Sequence, residues 1–366
     1  MIVTMFPEPK EQARAIGAFA FVASAGGAVG LLAGGVLTQT INWHWIFFVN
    51  IPVAVVTALL TVRLVPNEAG IGLGAGTDVL GALTVTAALM LGVYAIVGPA
   101  ATDGWTAPAT VGFGAVSLVL LALFAWRETT AANPLVPMAI FRSRTVAAAN
   151  LIQVLSVAGM FGIFFMGSLY LKKVLGYGPL EIGFAFLPTT VLMGALSVRY
   201  TEPLATRFGA RSLLIAGLTL IGLGLVVFTR APVDGSYLVN VAPVMVLMGV
   251  GAGLAFPSLM MLAMSGTSAE NAGLASGLVN TTAQVGAALG LAVLATLSAS
   301  RTATLANDGA GLPAALTGGF HVAFWVAAAL VAAAVVVAVV ALAPAQDPQP
   351  VEPQAEESAT REPVCV

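Results

Sequence analysis

The chain has 366 residues, of which 59% are hydrophobic and only 8% are charged, whereas soluble domains carry about 25% charged residues. This composition excludes an ordinary soluble globular protein. The formal net charge is -2, so the chain offers no basic surface for nucleic acid. One cysteine, Cys365, and two distant histidines, His44 and His321, form no familiar catalytic or metal motif. We therefore predict no cofactor and no metal site.

Ten charge-free runs, each of about 17 residues or more, are long enough to cross a bilayer. They are too long and too continuously apolar for barrel strands, and backbone groups in lipid must be paired internally, so we predict helices. The runs cover residues 15–41, 45–62, 79–102, 104–126, 145–171, 182–198, 212–229, 235–269, 271–300 and 309–346. In the three longest runs we place the spans at about 237–261, 276–298 and 320–343. The predicted fold class is all-α, a polytopic protein embedded in the lipid bilayer.

Lysine and arginine are divided unequally between the two sides of these spans. Ten of the 14 lie on the side that carries the N-terminus, and four lie on the other. The positive-inside rule therefore predicts that both termini are cytoplasmic. The tail, residues 344–366, carries five prolines and five acidic residues, a composition that predicts disorder.

The first and ninth spans share a sequence pattern. Residues 15–37 and 275–297 are identical at eight of 23 aligned positions. The two copies are eight spans apart and point the same way, as in transporters whose halves are parallel repeats.

Glycines form one face of the first span. Gly26, Gly30 and Gly34 are spaced by four residues, which lets a neighbouring backbone approach closely. Two interpretations remain open, ordinary helix packing and a moving interface between two helix bundles. In the ninth span Gly286 and Gly290 repeat the spacing.

The segment between the sixth and seventh spans, residues 204–211, is predicted to be a tight cytoplasmic turn. Its two arginines are predicted to anchor the cytoplasmic side or to meet helix C-termini. It also resembles a loop motif of the major facilitator superfamily, Gly-x-Leu-Ala-Asp-Arg-x-Gly-Arg-Lys. The matching positions are Leu204, Ala205, Arg207, Gly209 and Arg211. With three motif positions changed, the loop looks like the second-half copy.

The glycine-rich first span is similar to the antiporter motif of the same superfamily, Gly-Pro-x-x-Gly-Gly. Gly30, Gly34 and Gly35 match it, and Leu31 stands in place of the proline. The segment 42–52, with His44 where an arginine is usual, continues this resemblance. Four later segments are similar to the fourteen-span drug:proton antiporter branch of the superfamily. They are Asn133-Pro134-Leu135 with Phe141-Arg142, Leu175-Gly176-Tyr177, Phe186-Leu187-Pro188 and Gly273-Leu274-Ala275-Ser276-Gly277.

Members of that branch have six helices, two linker helices and six more. The resemblance implies that the ten spans correspond to the fifth to the fourteenth, and that the chain is N-terminally truncated. It divides the chain into the last two helices of the first bundle, two linker helices, a six-helix C-terminal bundle and the tail. These parts are residues 1–65, 66–128, 129–343 and 344–366.

Uncharged polar residues enter two spans, whereas no acidic residue lies at mid-membrane depth, where proton relays normally require one. The polar residues stand about one turn apart and would face either a cavity or a neighbouring helix, and both interpretations remain open. They are Asn150 and Gln153 in the fifth span, and Asn280 and Gln284 in the ninth.

The resemblance implies export of hydrophobic small molecules from a bacterial cell, across the inner membrane. Protons would be the coupling ion, and a site between two bundles would open alternately to each side. An alternative is a non-transporting remnant or membrane partner protein that lacks the proton-coupling half. A membrane enzyme is the weakest hypothesis.

Overall fold

The computed structural model describes residues 26–27, 29–30, 32–64, 78–131, 134–136, 140–141, 143–265 and 272–342. Within these ranges, nine helices are long and apolar enough to cross a membrane. They are α1 (Trp45–Leu64), α2 (Val79–Val97), α3 (Pro108–Thr130), α4 (Arg144–Lys173), α5 (Pro179–Arg199), α6 (Ala210–Phe228), α7 (Tyr237–Ser265), α8 (Ala272–Asn307) and α9 (Leu312–Ala341). Each coincides with one predicted span, which confirms the all-α polytopic fold.

Two parts of the prediction fall wholly or partly outside the described residues. The tail, residues 344–366, is one of them. The first predicted span is the other, because residues 15–25, 28 and 31 lie outside, whereas 26–27, 29–30 and 32–40 are described and helical.

Helix starts are set by prolines and by capping side chains. Pro108 and Pro179 open α3 and α5, where the N–H that proline lacks would have had no helical partner. Asp78 caps α2 by accepting the Gly81 amide at 2.8 Å. Proline and a capping carboxylate therefore fix where these three helices begin.

Helices α4 to α9 form a six-helix bundle. α4 packs against α8 and α9, α6 packs against α7 and α9, and α5 packs against α7. Aromatic rings from four of these helices fill the interior. The rings belong to Tyr170, Phe186, Phe228 and Phe324. Since lipid is as apolar as the helices, close packing of this kind stabilises the bundle.

Helices α2 and α3 form a hairpin that contacts the bundle through α8. The Ser117 hydroxyl donates to the Ala88 carbonyl at 2.7 Å and joins the two hairpin helices. The Thr296 hydroxyl of α8 donates to the Ile96 carbonyl at 3.2 Å. α1 differs from both groups, because none of its residues is buried by the described part of the chain.

The last two helices are longer than predicted. α8 has 36 residues, against a prediction of 276–298, and α9 begins at Leu312 rather than at residue 320. Hydropathy reports only the part of a helix that lies in lipid, and the alanine-rich ends continue as helix beyond it. At this end Gly319 of α9 lies against the Ser298 carbonyl, so the two helices stay in contact near their connection.

Candidate functional site

One face of α8 is lined by small and polar residues and is left uncovered by the described helices. The spacing of three and four residues puts them on one side of the helix. The exposed residues are Gly273, Gly277, Asn280, Thr281, Gln284 and Ala288. We call this set the polar face of α8.

The side chains of the polar face of α8 differ in whether they have a hydrogen-bond partner. The Asn280 amide donates to the Ser276 carbonyl at 3.2 Å, and the Thr281 hydroxyl donates to the Gly277 carbonyl at 2.9 Å, both within α8. The Gln284 amide makes no hydrogen bond to any described residue. An unpaired amide is costly in hydrocarbon, so the polar face suits a water-filled cavity or another protein surface better than lipid.

The opposite side of α8 packs tightly on α4. A Cβ on Gly286 would lie 2.6 Å from the Val154 carbonyl oxygen, and a Cβ on Gly290 would lie 2.5 Å from the Ala158 Cα. Only glycine permits this approach of the two backbones. The pair therefore serves helix packing inside the bundle, which is one of the two interpretations left open for glycine faces.

Asn150 and Gln153 lie one turn apart on α4 but have different surroundings. The Asn150 amide donates to the Val146 carbonyl at 2.9 Å, and its oxygen accepts the Thr282 hydroxyl of α8 at 3.0 Å. Asn150 is therefore a bridge between helices. Gln153 is 9% exposed, and its side chain makes no hydrogen bond to the described residues.

Of the antiporter-motif glycines, Gly35 alone lies in close contact with the described residues of the bundle. A Cβ on Gly35 would lie 2.9 Å from the Pro179 carbonyl oxygen, at the start of α5. Around Gly26, Gly30 and Gly34, no atom of the described residues lies within 4 Å of a Cβ position. For these three glycines, a moving interface between two helix bundles stays a prediction.

The arginine loop is not the tight turn that we predicted. Residues Thr201–Phe208 form a two-turn helix, and Gly209, with φ of 81°, separates it from α6. Pro203 in the first turn favours this helix, because its missing N–H has no helical acceptor there. Leu204 is half-buried in it.

The two arginines of this loop have different partners. Arg211 donates from Nη2 to the Val339 carbonyl at 2.7 Å, in the last turn of α9. A cation at this position compensates the unpaired carbonyls and the negative end of the helix dipole. Arg207 is exposed, and its guanidinium carbon lies 5.3 Å from the centre of the Phe208 ring.

A hydrogen-bonded contact between α5 and α7 was not predicted from the sequence. Pro257 lies inside α7 and has no N–H to donate to the Gly253 carbonyl. Hydroxyls of Thr201 and Ser197 lie 2.9 Å and 3.3 Å from that oxygen and replace the missing donor. In the sequence, Pro257 is the one residue that indicates an unpaired carbonyl four residues before it.

Two buried acidic residues at the ends of the hairpin were also missed. Arg127 Nε lies 2.8 Å and 2.9 Å from the two carboxylate oxygens of Asp78. The Gly81 amide, followed by Arg127, lowers the pKa of Asp78, while burial opposes the shift. Glu128 accepts the Val136 amide at 2.7 Å through Oε2, and its Oε1 is buried with no hydrogen-bond partner among the described residues.

The described residues contain no group of three or more histidine, cysteine, aspartate or glutamate side chains that could hold a metal ion. The chemistry available on the polar face of α8 is therefore hydrogen bonding by amides and hydroxyls beside apolar surface. Such a face can contact an uncharged or weakly polar molecule, but it offers no nucleophile activated by a base.

Comparison with known proteins gives one family. Residues 1–291 match the family model described as the Major Facilitator Superfamily. The chain is 34% identical over 331 residues to the puromycin resistance protein of Streptomyces alboniger, an alignment that covers 90% of this chain and 65% of that protein.

Two further relatives are named for export. The cephamycin export protein of Amycolatopsis lactamdurans is 32% identical over 326 residues, which cover 88% of this chain and 65% of the relative. The tetracenomycin C resistance and export protein of Streptomyces glaucescens is 31% identical over 303 residues, or 83% and 56%. The chain thus spans 65% or less of the length of these three relatives.

Proposed function

The chain belongs to the major facilitator superfamily, and on that premise we propose that it exports hydrophobic small molecules across the bacterial cell membrane by alternating access. The similarity to relatives named for resistance or export supports this proposal. It favours an exporter over a non-transporting remnant.

The observation that carries the proposal is the polar face of α8. Asn280 and Gln284 are exposed on a helix whose other side is packed against α4. Lipid would leave the Gln284 amide without a partner, whereas a water-filled path would solvate it. A path of this kind, with apolar walls and a few amides, suits hydrophobic molecules that carry some polar groups.

We infer the orientation from the charges at the helix ends. Arg144, Arg199, Arg207 and Arg211 lie at one end of the bundle, and the positive-inside rule assigns that end to the cytoplasm. Both termini would then be cytoplasmic. Placement in the fourteen-span branch and the four missing spans stay predictions.

Protons are the coupling ion that we propose. In the described helices the acidic side chains lie at helix ends, as Asp78 and Glu128 do. Coupling is therefore best tested on transport itself, by asking whether export stops when the proton gradient is dissipated.

The experiment expresses the chain in a drug-sensitive bacterium and measures export of puromycin, a cephamycin, tetracenomycin C and a hydrophobic dye. We expect reduced accumulation of at least one compound and loss of that effect after an uncoupler is added. Asn280→Leu combined with Gln284→Leu is expected to reduce export at unchanged protein level. Thr304→Leu, also exposed on α8, is the matched control.

Accumulation equal to that of the empty vector, with the protein present in the membrane, would instead support the remnant or partner hypothesis. Export that continues after the uncoupler would contradict proton coupling and leave the exporter proposal standing.

A further inference from the structure

A groove of about 330 Å³ lies between the end of α6 and the start of α7, at the end of the bundle opposite the arginine-rich loop. It is lined by Val226, Val227, Arg230, Val239 and Asn240. The groove combines three valines with one cation and one amide. It lies at the C-terminal end of α6, far from the N-terminus of that helix.

The two polar residues of the groove can both donate hydrogen bonds into it. Arg230 is exposed, and its guanidinium makes no ion pair or hydrogen bond with the described residues. The Asn240 oxygen accepts the Ser236 amide at 3.0 Å. This bond fixes the amide, so its NH2 group points away from the Ser236 backbone and stays available as a donor.

The remaining wall of the groove is apolar and uncovered. Val239 is 72% exposed and its neighbour Leu238 is 78% exposed. Val239 lines the groove together with Arg230, and both lie where membrane-spanning helices end or begin. A guanidinium at a helix end with apolar surface beside it matches a phospholipid, whose phosphate lies at the interface and whose acyl chains lie in hydrocarbon.

The backbone here is also unusual. Residues Tyr237–Val241 form a single π-helical turn at the start of α7. Isolated π turns are rare in proteins as a whole, and those that occur are often found at functional sites. This turn carries both Val239 and Asn240, so it places the apolar wall and the amide donor on the same groove.

We propose that this groove binds the headgroup of an anionic phospholipid, with the phosphate against Arg230 and Asn240 and an acyl chain along Val227 and Val239. The proposal commits to a lipid rather than a soluble anion, because three of the five lining residues are valines. It concerns a surface separate from the polar face of α8 and does not depend on transport.

The test uses the purified chain in a neutral detergent, with lipid binding measured by native mass spectrometry. Phosphatidylglycerol and phosphatidylcholine with identical acyl chains are compared, and phosphatidylglycerol is expected to bind more tightly. Arg230→Gln removes a charge-assisted hydrogen bond and is expected to weaken phosphatidylglycerol binding about tenfold. Arg230→Lys should retain most of it.

Arg301→Gln is the matched control, since Arg301 is exposed at the same end of the bundle but lies outside the groove. Its binding of phosphatidylglycerol should be unchanged. Equal affinity for the two lipids, or an equal loss in the Arg301 variant, would overturn the proposal. Inorganic phosphate that binds alone with the same dependence on Arg230 would also overturn it, because the site would then be one for a soluble anion.

Discussion

The hydroxyl of Thr201 lies 2.9 Å from the carbonyl oxygen of Gly253. Pro257 leaves that oxygen without a helical donor, so a side chain from outside α7 completes its hydrogen bonding. Gly253 also permits the approach, since a Cβ there would lie 2.9 Å from the Cβ of Leu196. The contact thus combines a proline, a glycine and a hydroxyl from three separate positions in the chain.

Thr201→Val is expected to lower stability by about 1 kcal/mol, because it removes the shorter of the two hydroxyl hydrogen bonds to the Gly253 carbonyl and leaves only Ser197, at 3.3 Å. Thermal unfolding in detergent provides the measurement. Thr206→Val is the control, because its hydroxyl bonds only within the short helix, to the Pro203 carbonyl. In a Pro257→Ala background the restored N–H should reduce the cost of Thr201→Val. An unchanged cost would contradict this account of the contact.

Asp78→Asn is expected to lower stability at neutral pH, because it weakens the ion pair with Arg127. The pKa of Asp78 is lowered below its usual 3.8, so its charge stabilises the fold above that pH and the effect is lost as pH falls through the lowered value. The unfolding midpoints of the variant and the parent should therefore converge in acid. Asp103→Asn, an exposed acidic residue, should show no such convergence; a constant difference for Asp78→Asn would contradict the prediction.

Gly286→Ala is expected to destabilise the contact of α4 with α8 by about 1–3 kcal/mol, because the added methyl would overlap the Val154 carbonyl. The matched control is Gly112→Ala in α3. No described atom lies within 4 Å of its Cβ position, so the higher helix propensity of alanine should leave stability equal or slightly raised. Thermal unfolding of both variants decides the matter, and equal effects would rule out tight packing at Gly286.

Two of the four polar candidates, Asn150 and Gln284, should differ in their effect on stability. Asn150→Leu removes the acceptor of the Thr282 hydroxyl and should lower stability by about 1 kcal/mol or more. Gln284→Leu breaks no hydrogen bond with the described residues and should leave the unfolding temperature unchanged. Export assays on the same variants complete the comparison. If Gln284→Leu unfolds earlier than Asn150→Leu, the assignment of Asn150 as the structural bridge is wrong.

The membrane spans could be predicted from the positions of charges because an ionisable group is costly in hydrocarbon. The nine helices α1 to α9 follow from that rule alone. The partners of individual side chains did not follow from it. Arg127 and Asp78, for example, are 49 residues apart in the chain. Packing of the two hairpin helices decides which helix ends meet, and the charge pattern carries no information about that packing.

The polar candidates illustrate the same limit at closer range. Spacing along α4 and α8 predicted which residues share a helix face, but Asn150 and Gln153, one turn apart, differ in their partners. Thr282, which bonds Asn150, lies on the second helix at a depth that only the assembled bundle defines. The arginine loop was predicted as a tight turn between two spans, whereas residues Thr201–Phe208 form a short helix that leaves Arg207 exposed.

The length of α8 has a practical consequence. Its 36 residues correspond to about 54 Å at 1.5 Å per residue, whereas the hydrocarbon core is about 30 Å thick. Part of α8 therefore stands clear of lipid unless the helix is steeply inclined. Because α9 stays packed against it at Gly319, the connection around Gly309 forms a stiff projection. An antibody fragment raised against this projection would give electron microscopists an asymmetric marker on a protein whose described residues lie mostly in membrane-spanning helices.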